Sequence, residues 1–402
     1  MGALWGRRRV VAGLAAAATL ASMTVASVVT ASPSLAGQGP VVTTIGGVEV
    51  EATFNDPVDH GGRDTAQLDH MIALVNGTPA GASIYLAIHS ITANIVYDAI
   101  VAAVQRGVHV YVVHNGEDKN STDSTPGDLA ALLGANHHWC DHGSSTLAYG
   151  GGCVSTDSSS LMHAKYMLFS QTKDSAGTLK SYVTWFGSPN MTYASGTDLF
   201  NNAITVYGDQ TLYTNWYNSE WLPMWQEKSY SGNDFYDSSV PRGYFGSTVS
   251  NVHVYASPEQ QTDLVANRLG YADADSSCRI RVMENTIHDN RSAVVDKLLS
   301  LHSGGCLVWV AVQSIESTSL SRLKSAGISV HQAPVHDKSI IYYGRYAGST
   351  TNRYIVFTGS HNLTYSALHL NDEILVKIDD SQALYNAFYN HFNDAYNTGS
   401  PL

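Results

Sequence analysis

The sequence predicts an α/β protein made of two halves of the same design, and three observations carry that prediction. Hydrophobic residues make up 44% of the 402 positions and charged ones only 14%, against roughly a quarter in ordinary soluble chains. A large buried core follows, and a disordered chain or a coiled coil is excluded. Short apolar runs alternate with amphipathic stretches across short connections, the pattern of strand–helix–strand crossovers in a sheet covered on both faces. The order of these elements then recurs once along the chain.

Taken in order, the chain opens with Arg7, Arg8 and Arg9, then an Ala/Val-rich stretch over residues 10 to about 29. Ser34 and Ala36 place small residues at the −3 and −1 positions before Gly37. This predicts a cleaved export signal over residues 1–36 and a secreted protein; the weakly apolar alanines argue against a permanent anchor. The paired arginines match a twin-arginine route only loosely. In a first repeat, residues 37–240, strands are expected at 83–88 and 108–113 and helices at 94–105 and 126–133. In a second, residues 241–402, strands are expected at 279–283 and 307–312 and helices at 291–301 and 318–326. The Gly/Ser/Tyr/Asp-rich stretch 229–247, with Pro241, reads as the junction.

Four cysteines suit an oxidising compartment. Cys140 and Cys153 flank a short glycine-rich stretch. Cys278 and Cys306 each precede an apolar run; if those runs are neighbouring parallel strands, both cysteines lie at one sheet end. The pairing expected is Cys140–Cys153 and Cys278–Cys306. His137, His138, Cys140 and His142 resemble a metal cluster in spacing, but the bridge is the better reading, so neither metal nor cofactor is expected. The net charge is −12, and −15 once the signal's three arginines are removed. Such a chain gains no affinity from a general phosphate-backbone field.

The repeat carries the candidate chemistry. His163-Ala164-Lys165 is followed by Gly187-Ser188-Pro189-Asn190, and His336-Asp337-Lys338 by Gly359-Ser360-His361-Asn362. The distance from His to Gly is 24 positions in the first copy and 23 in the second, and no other His-x-Lys occurs. In an extended segment, residues i and i+2 project together, so each His shares a face with its Lys. Two ammonium groups and two amides suit the nonbridging oxygens of a phosphodiester. Two imidazoles supply a nucleophile and a general acid.

These duplicated motifs resemble the phospholipase D superfamily, whose pattern is His-x-Lys-(x)4-Asp followed by Gly-Ser-x-Asn. The resemblance implies two α/β/α sandwich halves related by a pseudo-twofold axis, with mixed, mostly parallel sheets, and phosphodiester chemistry through a covalent phosphohistidine. Ser170 and Tyr343 stand where the pattern has Asp. The tyrosyl-DNA phosphodiesterase branch also lacks that Asp and is active, so the loss does not imply an inactive protein.

Members often carry an acid eleven residues past the motif Asn, placed to hydrogen-bond the catalytic His. Here that position is Glu373 in the second half and Asn201 in the first. With Glu373 beside His336, the imidazolium of a general acid is favoured; with Asn201 beside His163, a neutral nucleophile. The catalytic set is then His163, Lys165, Asn190, His336, Lys338, Asn362 and Glu373, with Ser188, Ser360 and Asn201 at the substrate. Asp337 alternates to the opposite face and does not replace the missing acid. Trp216, Trp221 and Trp225 are expected in the core, His361 as a modulator, and His288, His331 and His369 as surface or structural residues. The function expected is a secreted, metal-independent phosphodiesterase of phospholipase D type, acting on phospholipids with peripheral membrane contact, as a monomer, and able to transfer the phosphatidyl group to alcohols. The alternatives are an exported nuclease of the same superfamily, disfavoured by the charge, and a non-catalytic phosphate- or lipid-binding protein.

Overall fold

The computed structural model describes residues 39–143, 151–240 and 242–402. The expected export signal over 1–36 and its cleavage site lie outside the described residues, as does Pro241 at the expected junction. Eight strands of the first half form one sheet: β1 (Val41–Ile45), β2 (Val48–Asn55), β3 (Ser83–Ile88), β4 (His109–Asn115), β5 (His137–Cys140), β6 (Tyr166–Lys173), β7 (Leu179–Gly187) and β8 (Asn201–Tyr207). Their spatial order is β1-β2-β8-β7-β6-β3-β4-β5. Helices α1 (Ala66–Gly77), α2 (Asn94–Gln105) and α3 (Thr125–Leu133) connect them, and the short α4 (Tyr193–Thr197) precedes β8. Helices α5 (Gln210–Trp216) and α6 (Leu222–Trp225), separated by a π-helical turn over Tyr217–Trp221, lead to the second half.

There β9 (Tyr244–Ser247), β10 (Val252–Ser257), β11 (Arg279–Ile287), β12 (Leu307–Ile315), β13 (Ser329–Gln332), β14 (Lys338–Arg345), β15 (Asn352–Gly359), β16 (Glu373–Asp379) and β17 (Ser400–Pro401) build a nine-stranded sheet in the order β17-β13-β12-β11-β14-β15-β16-β10-β9. Helices α7 (Leu264–Leu269), α8 (Ser292–Ser303), α9 (Ser317–Ser325), α10 (Tyr365–His369) and α11 (Gln382–Thr398) complete it.

The α/β class and the duplicated architecture are as expected, but the sheets are not mostly parallel. Among the described residues, parallel ladders are confined to β3–β4–β5 and β11–β12–β13; every other ladder is antiparallel. For the β6–β7 and β14–β15 ladders the reason is connection length. The turns at 174–178 and 346–351 are too short for the dozen or more residues a parallel crossover needs.

Burial follows the strand pattern. The outer face of the first sheet packs against α1 and α2 through Leu68, Met71, Val96 and Ile100. That of the second packs against α7 and α8 through Leu264, Val294 and Leu298. Between the sheets lies one shared core, in which Val50, Phe186 and Ile204 of the first half join Ile341, Val356 and Val376 of the second. Trp216 is wholly buried there between Tyr166, Phe186 and Phe245, with ring centroids at 5.2, 5.2 and 5.6 Å, and Phe388 and Leu384 bring α11 into the same layer. Trp221 is also buried, as expected of a core residue. Both disulfides are formed, Cys140–Cys153 and Cys278–Cys306, the second at the adjoining ends of parallel β11 and β12, where Arg279 faces Leu307.

Candidate active site

Each His-x-Lys motif lies at the entrance to a central strand rather than inside it: β6 begins at Tyr166 and β14 at Lys338. The extended backbone still brings each pair together, since the Lys165 ammonium donates to the His163 carbonyl and the Lys338 ammonium to the His336 carbonyl, both at 2.5 Å. Each Gly-Ser-x-Asn turn is tied by a one-residue parallel bridge to the chain at or just past the end of the strand two places away in the sheet, Met191 to Ile91 beyond β3 and Leu363 to Ile287 at the end of β11. A short capped helix follows each turn. Thr192 caps α4 by accepting from the Ser195 amide, and Thr364 caps α10 by accepting from the Ala367 amide.

The halves then exchange partners. The His163 amide donates to the Asp372 carbonyl and the His336 amide to the Phe200 carbonyl, each at 2.9 Å. The side chains cross in the same way. His163 Nδ1 lies 2.8 Å from Glu373 Oε2, and His336 Nδ1 lies 3.0 Å from Asn201 Oδ1. The expected pairing is therefore reversed: the carboxylate serves the histidine of the first half and the amide that of the second. The twofold relation of the halves, not distance along the chain, decides which ring each group reaches. Asn201 Nδ2 already donates to the Leu199 and Ser195 carbonyls, so Oδ1 is an acceptor and His336 carries its proton on Nδ1. Ser195 Oγ stands a further 3.2 Å from the same nitrogen.

Ser188, Ser360 and Asn201, expected at the substrate, lie behind the histidines instead. All three are fully buried. Ser188 Oγ donates to Asn201 Oδ1 at 2.8 Å and Ser360 Oγ to Glu373 Oε2 at 2.6 Å, so the serines orient the groups that orient the rings. Asn190 and Asn362 each keep a buried side-chain oxygen with no partner among the described residues.

Burial, reinforced by Lys165 and Lys338, holds His163 well below the usual imidazole range. Burial and the same two lysines do the same to His336. Lys338 is lowered to about 8 by burial, with Glu284 and Glu373 opposing; Lys165 is lowered well below the usual lysine range by burial, with Glu373 opposing. Burial pushes the Glu373 carboxyl up, with Lys165 opposing. An anion placed between these lysines relieves what disfavours their charged forms.

Other residues in the site left no mark in the motifs. His89, at the end of β3, packs edge-on against His163 with centroids 4.8 Å apart, and neither of its buried ring nitrogens has a partner among the described residues. Glu284 faces Lys338 across the β11–β14 ladder and is buried. A strand-end histidine and a lone acid within an apolar run were the only sequence signals for these two. Ser170, in place of the usual Asp, accepts the Ser83 amide at 2.8 Å and joins β6 to the start of β3; Tyr343 packs at a tilt against Tyr354, with ring centroids 5.0 Å apart. Asp337 turns away, as expected, and meets His391 at 3.0 Å. His331 stacks on Tyr396 and His369 Nδ1 lies 2.7 Å from the Glu259 carbonyl, both structural. His137 contacts His114, and His142 Nε2 lies 2.7 Å from the Ser155 carbonyl.

The family described as "Cardiolipin synthase, PLD-like domain" matches residues 78–221 and 271–396, together well over half of the chain and containing both motif pairs. Among solved structures, phosphatidylserine synthase of Haemophilus influenzae Rd KW20 is similar at a TM-score of 0.56 and 11% identity, over 87% of each chain. Polyphosphate kinase from Porphyromonas gingivalis is similar at 0.52 and 10% identity, over 86% of this chain and 50% of the kinase; the present chain thus spans half of that protein. These likenesses show the fold. No curated protein matches in sequence.

Proposed function

The chain belongs to the phospholipase D-like domain family, and from that premise we propose that it is an exported phosphodiesterase that cleaves phospholipids through a phosphohistidine on His163. The crossed pairing of His163 with Glu373 and of His336 with Asn201 carries this reading. With Nδ1–H held by a carboxylate, His163 Nε2 keeps its lone pair for attack on phosphorus, and the positive charge that develops on the ring faces Glu373. His336, on a neutral amide, gives a proton from Nε2 to the leaving oxygen as that P–O bond breaks. The incoming phosphate anion, lying between Lys165 and Lys338, restores the charged imidazolium that burial disfavours. In the second step His336 takes a proton from water as its oxygen attacks phosphorus and the P–N bond breaks, freeing His163. A small alcohol in place of water gives transfer. Lys165, Lys338, Asn190 and Asn362 hold the nonbridging oxygens throughout.

His163 thus remains the proposed nucleophile and His336 the acid, on a different physical ground from the one its sequence neighbours suggest. The acidic charge balance and the family's description as a cardiolipin synthase domain support lipid over nucleic acid. The test offers purified protein, with excess chelator, phosphatidylcholine liposomes and single-stranded DNA in parallel, with His163→Ala as control. Choline release that persists in chelator and vanishes in the variant is expected. Cleaved DNA with intact lipid would move the protein to a nuclease reading, and undiminished turnover by His163→Ala would overturn the mechanism.

A further inference from the structure

The mechanism leaves Arg291 unused, yet this residue at the head of α8 has only 2% of its side chain exposed. Its Nε and Nη2 bind both oxygens of Asp263, at 2.8 and 3.0 Å. Its Nη1 donates to the Asn362 carbonyl at 2.8 Å and meets His361 Nδ1 at 2.9 Å. A guanidinium has no lone pair to offer, so His361 Nδ1 must accept, and the ring must carry its proton on Nε2. The other tautomer would aim Nδ1–H at the Asn362 carbonyl, 3.2 Å away, but would set two N–H groups against each other at 2.9 Å. Burial and the Arg291 charge also bring His361 to about 4, which keeps the ring neutral.

His361 is therefore a neutral imidazole whose donor end is fixed by an Asp263–Arg291 relay. It is 2% exposed, and its Nε2 is buried with no partner among the described residues. An unanswered buried donor is costly unless a ligand completes it. The ring is close enough to His163 and Glu373 to shift both electrostatically, and it adjoins Ser360 and Asn362 of the motif. Its counterpart in the first half, Pro189, has no side-chain donor.

We propose that His361 is a substrate-binding residue whose Nε2–H donates to one nonbridging oxygen of the phosphoryl group, with Arg291 and Asp263 as its positioning residues. The inference rests on the phosphodiesterase reading and extends it to stereochemistry. The lysines and asparagines come in twofold pairs, whereas this donor exists on one side only. The two nonbridging oxygens are therefore bound unequally, and the site discriminates between the configurations at phosphorus.

The experiment uses the whole protein and a chiral phosphorothioate analogue of the diester, with each diastereomer assayed separately, together with ¹⁵N-histidine NMR during titration with inorganic tungstate. Wild type should prefer one diastereomer at least about tenfold. His361→Ala should lose most of that preference and about 10²-fold in kcat/KM on the oxygen substrate, the usual cost of one preorganised donor. The His361 resonance should show the Nε2–H tautomer and shift with tungstate, and Arg291→Met should release it into a tautomer mixture. Equal loss on both diastereomers, an Nδ1–H tautomer, or a His361 signal unmoved by bound tungstate would overturn the inference. Should wild type turn over neither diester, the phosphodiesterase reading fails by itself, while the tautomer and the tungstate titration still decide the donor and do not depend on the variants folding.

Discussion

At the scale of the residue, the site differs from a symmetric one in what stands behind each imidazole. Glu373→Gln should leave both rings in place but remove the charge that faces the developing phosphohistidine, costing about 10²- to 10⁴-fold in kcat with little change in KM; single-turnover kinetics would show phosphoenzyme formation slowed. A rise in KM with kcat unchanged would instead mean a binding role. The pH profile has a stated direction. His163 must be neutral and is held well below the usual imidazole range, so its own protonation should limit kcat/KM only well below that range. His336 must be protonated and both lysines charged, and burial lowers all three, Lys338 to about 8, so kcat/KM should fall as pH rises, with Lys338 contributing the limb near 8. Glu284 opposes the lowering of Lys338, so Glu284→Gln should move the Lys338 limb to lower pH, and Lys338→Arg should remove that limb and much of the rate but not the losses set by His336 and Lys165. An alkaline limb unmoved in Glu284→Gln would separate the two groups.

At the scale of the element, the disulfides show how similar bonds do unequal work. Their sequence separations of 13 and 28 residues predict about 3 and about 3.6 kcal/mol of loop-closure stabilisation. Only Cys140–Cys153 anchors the segment whose amides at Cys153, Val154 and Ser155 bind the buried Asp372 carboxylate, next to Glu373. Replacing Cys140 and Cys153 by Ala should therefore cost activity well beyond its stability loss, while replacing Cys278 and Cys306 should cost stability alone. Activity and denaturant midpoints of the two double variants decide this, and identical activity losses would refute it. Helices α4 and α10 show the same inequality. Both begin with Asn-x-Thr-Tyr and share a threonine cap, but α4 supplies Ser195 to His336 where α10 has Ala367. Among the core elements, Trp216 fills the centre of an aromatic cluster, and Trp216→Ala should destabilise the protein by about 3–5 kcal/mol in denaturant titration.

At the scale of the whole molecule, each half completes the other's histidine and the two share one core. The net charge of −12 gives no general pull on polyanions, so turnover of a zwitterionic lipid should change little between about 50 and 500 mM salt. A steep fall with salt would favour a nucleic-acid substrate.

The elements were legible because local periodicity fixes them: the strand at 83–88 and the helix at 94–105 lie where the pattern put them. Both motif pairs were legible through their matched spacing, and the Cys278–Cys306 bridge through the parallel strands that follow it. The sheets were expected to be mostly parallel and are mostly antiparallel; of that, only the β6–β7 and β14–β15 pairs were legible, in their short turns. What the chain by itself determined was the duplicated α/β architecture and the list of chemical groups. Only the tertiary structure decided which group faces which. Glu373 is closer in sequence to His336 and reaches His163, because partners across a twofold axis are chosen by the packing of two sheets on a common core. His89, Glu284 and the Asp263–Arg291–His361 relay enter the site for the same reason: their neighbours come from strands and loops far apart in the chain, and no local pattern records that meeting.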